Sequence, residues 1–430
     1  MTPEIEKRIK AVKAGRVPAG YKKTKIGIVP KEWDECKLSH YLSVSKEKNT
    51  ELKYSKEDVF SISGELGIVN QIELLGRSYA GVSVAPYGVV KPNDVVYTKS
   101  PLKANPYGII KTNKTGKTGI VSTLYAIFNC KDNVNSDFVQ YYFESDKNLN
   151  DYLHPIVNIG AKHDMKISDE NSLNGLVVFP PLSEQKKIAE ILSAQDKIID
   201  LKERLIAEKQ RQKKHLMQML LGEKTKKEKF ALNDVVVDKK KWKRTQLGDI
   251  ADIITGTTPD TSCSENYNGD ILWCSPSDIE DTKYIQNTKI TISELGLSKC
   301  RKVPQNAILV TCIGSTIGKM GIASRQMATN QQINSVVVLN DSHEFVFYSI
   351  NYNFRFYEKY ISAQAVPIIS KNLFKQFTIS LPSPSEQQAI AAVLSSADEE
   401  ISLLQRDLEQ EKLKKKSLMQ LLLTGLVRVR

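Results

Sequence analysis

The sequence has no long apolar run, only six cysteines and only five histidines, and each shortage removes a class of protein. No stretch approaches the ~18 consecutive apolar residues that a membrane-spanning helix needs. Met1 to Lys10 is charged and has no apolar segment of the signal-peptide kind, so a cytoplasmic chain that does not engage a membrane is expected. Cys36, Cys130, Cys263, Cys274, Cys300 and Cys312 are scattered without a C-x-x-C pair, which argues against a zinc knuckle and against a disulfide framework. Reduced thiols acting as small core residues are expected instead. The histidines are dispersed; His154 and His163 fall in an Asn- and Asp-rich stretch and read as surface residues, so no metal site is expected.

Sequence signatures of catalysis are missing too. Gly116-Lys117-Thr118 has Lys111 where a phosphate-binding loop needs its first glycine. Gly314 and Gly318-Lys319 are one residue too close, and Met320 stands where Ser or Thr belongs. Asn105-Pro106-Tyr107 lacks the second proline of an N-P-P-Y amino-methyltransferase motif, and no F-x-G-x-G loop is present. Pro259-Asp260 is not followed closely by an acidic-x-Lys element, so a nuclease core is not indicated. No catalytic residue is assigned.

What the chain has is positive charge and repetition. Its 61 Lys+Arg against 49 Asp+Glu leave +12, which suits a polyanionic partner because phosphate contacts release condensed counterions. At 430 residues it suits two or three domains. The 39 residues from Ser183 align without a gap on the 39 from Ser385, at an offset of 202, with 18 identities. Each copy reads as one long helix with no internal Gly or Pro. Ser183 and Ser385 are the expected N-caps, and Gly222 and Gly425 the expected stops. A seven-residue column runs Leu192, Ile199, Ile206, Lys213, Leu220 in the first copy and Leu394, Ile401, Leu408, Lys415, Leu422 in the second. A strict heptad marks a seam facing a partner helix, and its lysine interruption recurs at the same place, where it can snorkel or fix register. About 39 residues at ~1.5 Å each span roughly 58 Å, the length of about 17 base pairs.

The segments before the helices share a frame. Each opens on a tryptophan, in EWDECKLSHYLSV (32–44) and KWKRTQLGDIADI (241–253). Each has a Pro-turn before an apolar strand midway (89–100 and 301–315), then a helical stretch, Asp137–Phe143 or Glu344–Tyr352. Each ends in a proline-flanked strand, GLVVFPP (175–181) and FTISLPSP (377–384). Otherwise the two diverge. The expected division is an N-terminal arm with a short helix (1–20), a first head (21–181), a long helix (182–222), a basic solvated linker (223–241), a second head (242–382) and a second long helix (383–430). An internal pseudo-two-fold axis would set the helices antiparallel and place dissimilar readers on an asymmetric target.

This arrangement resembles the specificity subunits of type I restriction–modification systems over nearly the whole chain. The resemblance lies in Pro-Leu-Ser-Glu-Gln at 181–185, the L-M-Q-x-L-L endings at 216–221 and 418–423, Leu-Leu-Thr-Gly at 422–425, the openings at Trp33 and Trp242, and the stretches 308–323 and 328–338. It implies an α+β fold: two mixed α/β target recognition domains joined by two long antiparallel coiled-coil helices. It also implies that each domain reads one half of a split double-stranded DNA sequence. The helices would set the gap and dock two modification subunits that methylate adenine, and restriction subunits would join them. S-adenosylmethionine, ATP and Mg are then expected on those partners and no cofactor on this chain.

Base edges are read by Arg, Lys, Asn and Gln, and less selectively by Ser and Thr. The candidate DNA contacts are Lys99, Ser100, Lys103, Asn105, Lys114, Lys117 and Ser122 in the first head, with Tyr107 and Tyr125 for stacking or backbone contact. In the second they are Thr311, Ser315, Thr316, Lys319, Asn330, Gln331 and Gln332. Phosphate contact is the expected role of each lysine. Two rival functions are a scaffold or decoy subunit whose heads read no DNA, and a nuclease or methyltransferase of unfamiliar motif.

Overall fold

The computed structural model describes residues 2–102, 105–159, 165–222, 229–232, 234–280, 282–357, 361 and 367–429. The chain divides into two compact units, Met1–Asp200 with Glu409–Arg430, and Leu201–Leu408.

In the first unit, an antiparallel sheet runs in the order Leu42–Val44, Tyr125–Cys130, Val95–Thr98, Ile109–Thr112. Val95, Val96 and Tyr97 are buried on both faces, as β-branched and aromatic residues of a central strand should be. The helix Ser136–Glu144 follows the sheet, its first turn capped by the Asn135 side chain accepting from the Phe138 N–H at 2.8 Å. It drives Phe138, Val139, Tyr142 and Phe143 into a core shared with Trp33, Phe179, Ile188 and Leu192, and with Leu422 and Leu423. Strand Leu176–Phe179 pairs with Asp34–Lys37, so the end of the head returns to its beginning. The expected N-terminal helix is Pro3–Lys13, and Gly15 follows it at φ +70, a left-handed stop that suits glycine.

The second unit repeats the plan. Its sheet runs Ala251–Thr255, Ile333–Val338, Ile308–Thr311, Met320–Ala323, with Tyr284–Ile285 added in parallel at the edge. In chain order both sheets therefore read first, fourth, second, third. A helix, His343–Tyr357, again follows the sheet, and Lys243–Gln246 pairs with Thr378–Leu381 as the opening and closing strands. A further sheet of Ile290–Ile292, Tyr267–Cys274 and Ala328–Thr329 belongs to this unit.

The long helices span Leu182–Leu221 and Pro384–Leu422. In the second unit, Lys202 pairs with Asp407, Lys209 with Glu400 at 2.5 Å, and Lys213 with Asp398. Partner numbers fall as the first helix advances, so the two run antiparallel there. In the first unit Gln195 Nε2 donates to Glu411 Oε2 at 2.6 Å and Lys415 pairs with Asp196 at 2.8 Å, the same sense. Leu192, Ile206, Leu220, Leu394, Ile401, Leu408 and Leu422 of the seam are buried, and Ile199 is half-buried.

Two expectations need correction. Ser183 and Ser385 lie inside the first turns, not at the caps. Ser383 caps the second helix, with its hydroxyl and its backbone N–H both donating to Glu386 Oε2, at 2.7 and 3.0 Å. Nor is 223–241 a solvated linker where it is described: Lys229–Leu232 pairs with Val235–Asp238 as an antiparallel hairpin, and Val237 is fully buried. The lysines there hid a short alternation of Phe230, Leu232, Val235 and Val237. Residues 223–228 and 233 lie outside the described set.

Candidate nucleic-acid interface

The Ser-Glu-Gln opening of each long helix works as a latch to its own head. Glu184 Oε2 accepts from Trp33 Nε1 at 3.1 Å, and Glu386 Oε1 from Trp242 Nε1 at 3.4 Å. Gln185 Oε1 accepts from the Asn135 N–H at 2.9 Å, while its amide donates to the Pro180 carbonyl at 2.9 Å. Gln387 does the same with the Ser342 N–H at 2.9 Å and the Pro382 carbonyl at 3.1 Å. Asn135 and Ser342 open the short helices behind the two sheets, so the motif ties opening tryptophan, short helix and long helix together. Burial alone would raise the Glu386 carboxyl, but bonds from Ser383, the Asp238 N–H and Trp242 outweigh it and hold it below the ordinary range.

In the second unit most sequence-selected residues meet at one end of the sheet. Strand Ile308–Thr311 runs out into a loop that returns at Met320; the loop is closed by Gly318 N to Thr311 O at 3.0 Å and Thr311 N to Lys319 O at 2.9 Å. Cys312 N donates to Gln332 O at 2.8 Å, which brings 330–332 alongside. Gly318 sits at φ +90, where an added Cβ would meet the Phe354 ring at 2.7 Å. Ser315, Lys319 and Gln331 are exposed, and Thr316 and Gln332 half-buried. Thr311 and Asn330 are corrections: Thr311 is wholly inside, and Asn330 is buried with its amide on Gln332 Oε1 at 2.9 Å. Both shape the loop from within. Thr257 and Thr258, unremarked in the sequence, join this end through Thr257 N to Thr329 O at 2.7 Å and the Thr258 hydroxyl on Gln331.

In the first unit the candidates separate. Thr98 faces Ile109 and Tyr125 across the sheet, so Lys99, Ser100, Asn105, Tyr107, Ser122 and Tyr125 gather beyond that end. Lys114 and Lys117 lie beyond Thr112, at the opposite end. Lys103 lies outside the described residues. Lys99 is neutralised by Asp169 at 2.7 Å and Lys114 by Asp137 at 2.6 Å. Asn105 is buried, donating to Asp146 Oδ1 at 3.1 Å, and so is structural. The Tyr107 ring stands edge-on to His154 at 5.4 Å, and Tyr125 is half-buried with its hydroxyl pushed up by burial. Ser100 is exposed and Ser122 half-buried. Lys117 is exposed, 3.9 Å from Glu73, and Lys114 is exposed as well. Sequence reading passed over Arg77 and Tyr79, an exposed pair with the guanidinium 4.6 Å above the ring, next to a fully exposed Val82. The signal available was a basic and an aromatic residue between Gly76 and Gly81.

Among the described residues no three His, Cys, Asp or Glu side chains are placed to hold a metal ion, and no helix is long and apolar enough to cross a membrane. The geometry offers exposed hydroxyl, amide and ammonium groups on loops at the end of a rigid sheet, the equipment for reading a polyanion by contact.

Residues 93–210 and 239–413 match the family described as the type I restriction modification DNA specificity domain. The chain is 32% identical over 161 residues to the MjaIX specificity subunit of Methanocaldococcus jannaschii, covering 36% of this chain and 37% of that protein. It is 24% identical over 429 residues to the putative MjaX specificity subunit of the same organism, covering 95% and 97%. The fold resembles the type I restriction–modification S subunit from M. genitalium, with TM-score 0.56 and 13% identity over 91% of this chain and 96% of that one. It also resembles a chain from a structural study of type I restriction–modification complex assembly, with TM-score 0.54 and 19% identity over 93% and 99%. A match that takes in well over half of the chain, in both units and along both long helices, places it: this protein belongs to the type I restriction–modification DNA specificity family.

Proposed function

We propose that the chain is a non-catalytic DNA-reading subunit that selects a bipartite, asymmetric target for a methyltransferase and a nuclease carried by other subunits. The observation that carries this reading is the repeated frame with unlike ends. Both units share one strand order and one Ser-Glu-Gln latch, yet the loops at the sheet ends differ in length and in polar residues. Two frames of one design with different loops suit two different half-sites. The long helices act as an antiparallel coiled coil that sets the gap between 21–181 and 242–382. They also dock two adenine-methyltransferase subunits, for which exposed Leu201, Leu205 and Leu403 supply apolar contact. Restriction subunits complete the assembly. S-adenosylmethionine, ATP and Mg belong to those partners, which flip the target adenine out of the duplex because a stacked base is out of reach.

The test is co-expression with a modification subunit of a type I system from the same source and mapping of methylated adenines genome-wide. A two-part asymmetric motif is expected, and replacing 21–180 with another family member's domain should change one half only. An unchanged motif, or methyl transfer or DNA cleavage by the purified chain alone, overturns the reading.

A further inference from the structure

The lysines that interrupt the helix seam sit in two matching three-way junctions. In the second unit Tyr348 OH donates to Asp398 Oδ2 at 2.5 Å, and Lys213 pairs with Asp398 Oδ1 while lying 5.7 Å over the Tyr348 ring. In the first, Tyr141 OH donates to Asp196 Oδ2 at 2.7 Å, and Lys415 takes Asp196 Oδ1 at 2.8 Å while lying 5.5 Å over the Tyr141 ring. The tyrosine comes from the short helix behind the sheet, the aspartate from the long helix that follows that head, and the lysine from the other long helix. Asp196 and Asp398, like Lys213 and Lys415, are 202 residues apart.

We propose that Tyr141–Asp196–Lys415 and Tyr348–Asp398–Lys213 are positioning residues that fix the register of the long helices and the seating of each head, and through them the half-site gap the protein accepts. The proposal rests on the function proposed above. An apolar seam alone tolerates alternative registers, whereas a partly buried ion pair admits one, at some expense in stability. A one-residue slip moves a helix by ~1.5 Å and turns it by about 100°, far enough to separate Lys213 from Asp398. The two carboxylate oxygens serve different partners, so the aspartate joins all three elements instead of merely neutralising a lysine. Appearance of the same junction twice in one chain, from aligned positions, argues against a chance surface contact.

The experiment uses the full complex with its methyltransferase subunits and DNA duplexes carrying the native gap or one base pair more or less. The unaltered complex should favour the native gap by at least about tenfold, the scale of one lost base contact. Lys213→Met with Asp398→Leu removes both charges together and leaves no orphan charge, and the Tyr348 hydroxyl keeps Ser395 as a partner, so the chain should still fold. It should cut the gap preference to within about threefold. Tyr348→Phe, which deletes one hydroxyl, should also weaken the preference, and exchanging the charges as Lys213→Asp with Asp398→Lys should keep it. Full gap preference in a folded Lys213→Met, Asp398→Leu complex overturns the proposal; should that variant not fold, unchanged preference in Tyr348→Phe overturns it. If the unaltered complex methylates no two-part site, the functional reading fails first, a result distinct from variants that simply behave as wild type.

Discussion

In the first unit Glu184 is gripped by Trp33 and by both Nε and Nη2 of Arg428, at 2.7 and 2.8 Å, from the segment after the second long helix. In the second unit the aligned Glu386 meets no arginine among the described residues; it accepts from Trp242, the Ser383 hydroxyl and the Asp238 N–H at 2.8 Å. Trp33 is 1% exposed, whereas Trp242 is half-buried. The junctions differ likewise. Lys415 takes a second acid, Glu144, at 2.6 Å, while in the second unit Glu344 is committed to Lys283 and Tyr284, and Ser395 bridges them to the long helix. The aligned glutamate of the frame is thus held by an arginine clamp in one unit and by neutral donors in the other. A frame is set by which elements must meet; the chemistry that joins them can vary as long as each buried carboxylate finds enough donors.

That contrast can be broken experimentally, with the largest effect at the tryptophans. Trp33→Ala should destabilise the chain by about 3–5 kcal/mol, and Trp242→Ala by roughly half as much, because the loss scales with the apolar surface buried. Denaturant titration of the two variants checks this; equal losses would remove the claimed asymmetry. A smaller effect concerns acid. The Glu386 and Glu344 carboxyls are both held below the ordinary value, each by hydrogen bonds that outweigh burial and, for Glu344, also by the Lys283 charge. A depressed carboxyl contributes stability that is complete above its unfolded value of about 4.3 and is lost as pH falls through the folded one. Melting followed from pH 6 downward should therefore fall more steeply for wild type than for Glu386→Gln, which starts lower but loses less. Parallel curves would count against the network. The smallest effect is at the surface. Lys319→Ala and Lys117→Ala should each weaken DNA binding by the complex similarly on all sequences and reduce the salt slope by about one. A change of target preference in place of that uniform loss would make the lysine a base reader.

Much of this organisation is legible in the sequence. The gapless repeat at an offset of 202 located both long helices to within a residue or two, and most apolar residues of the heptad column are buried. Those signals are local and periodic, so they survive in one dimension. The caps were misplaced because Ser383 and Ser385 are equally good formers, and only the position of the first helical turn tells which hydroxyl meets Glu386. The 229–238 hairpin was masked by its lysines, since four alternating apolar residues weigh little against a basic composition. The candidate contacts fared least well: Thr311 and Asn330 are polar by type yet buried by position, and Lys114 and Lys117 lie at the opposite sheet end from Lys99.

By itself the sequence determined the repeat, the rods, the two frames and the absence of recognisable enzyme motifs, because each follows from spacing along the chain. Only the tertiary structure decided that each seam lysine meets an aspartate 185 or more residues away under a tyrosine, and which polar side chains face outward. Such partners are chosen by strand order and helix direction, which bring together residues whose separation in sequence carries no period to read.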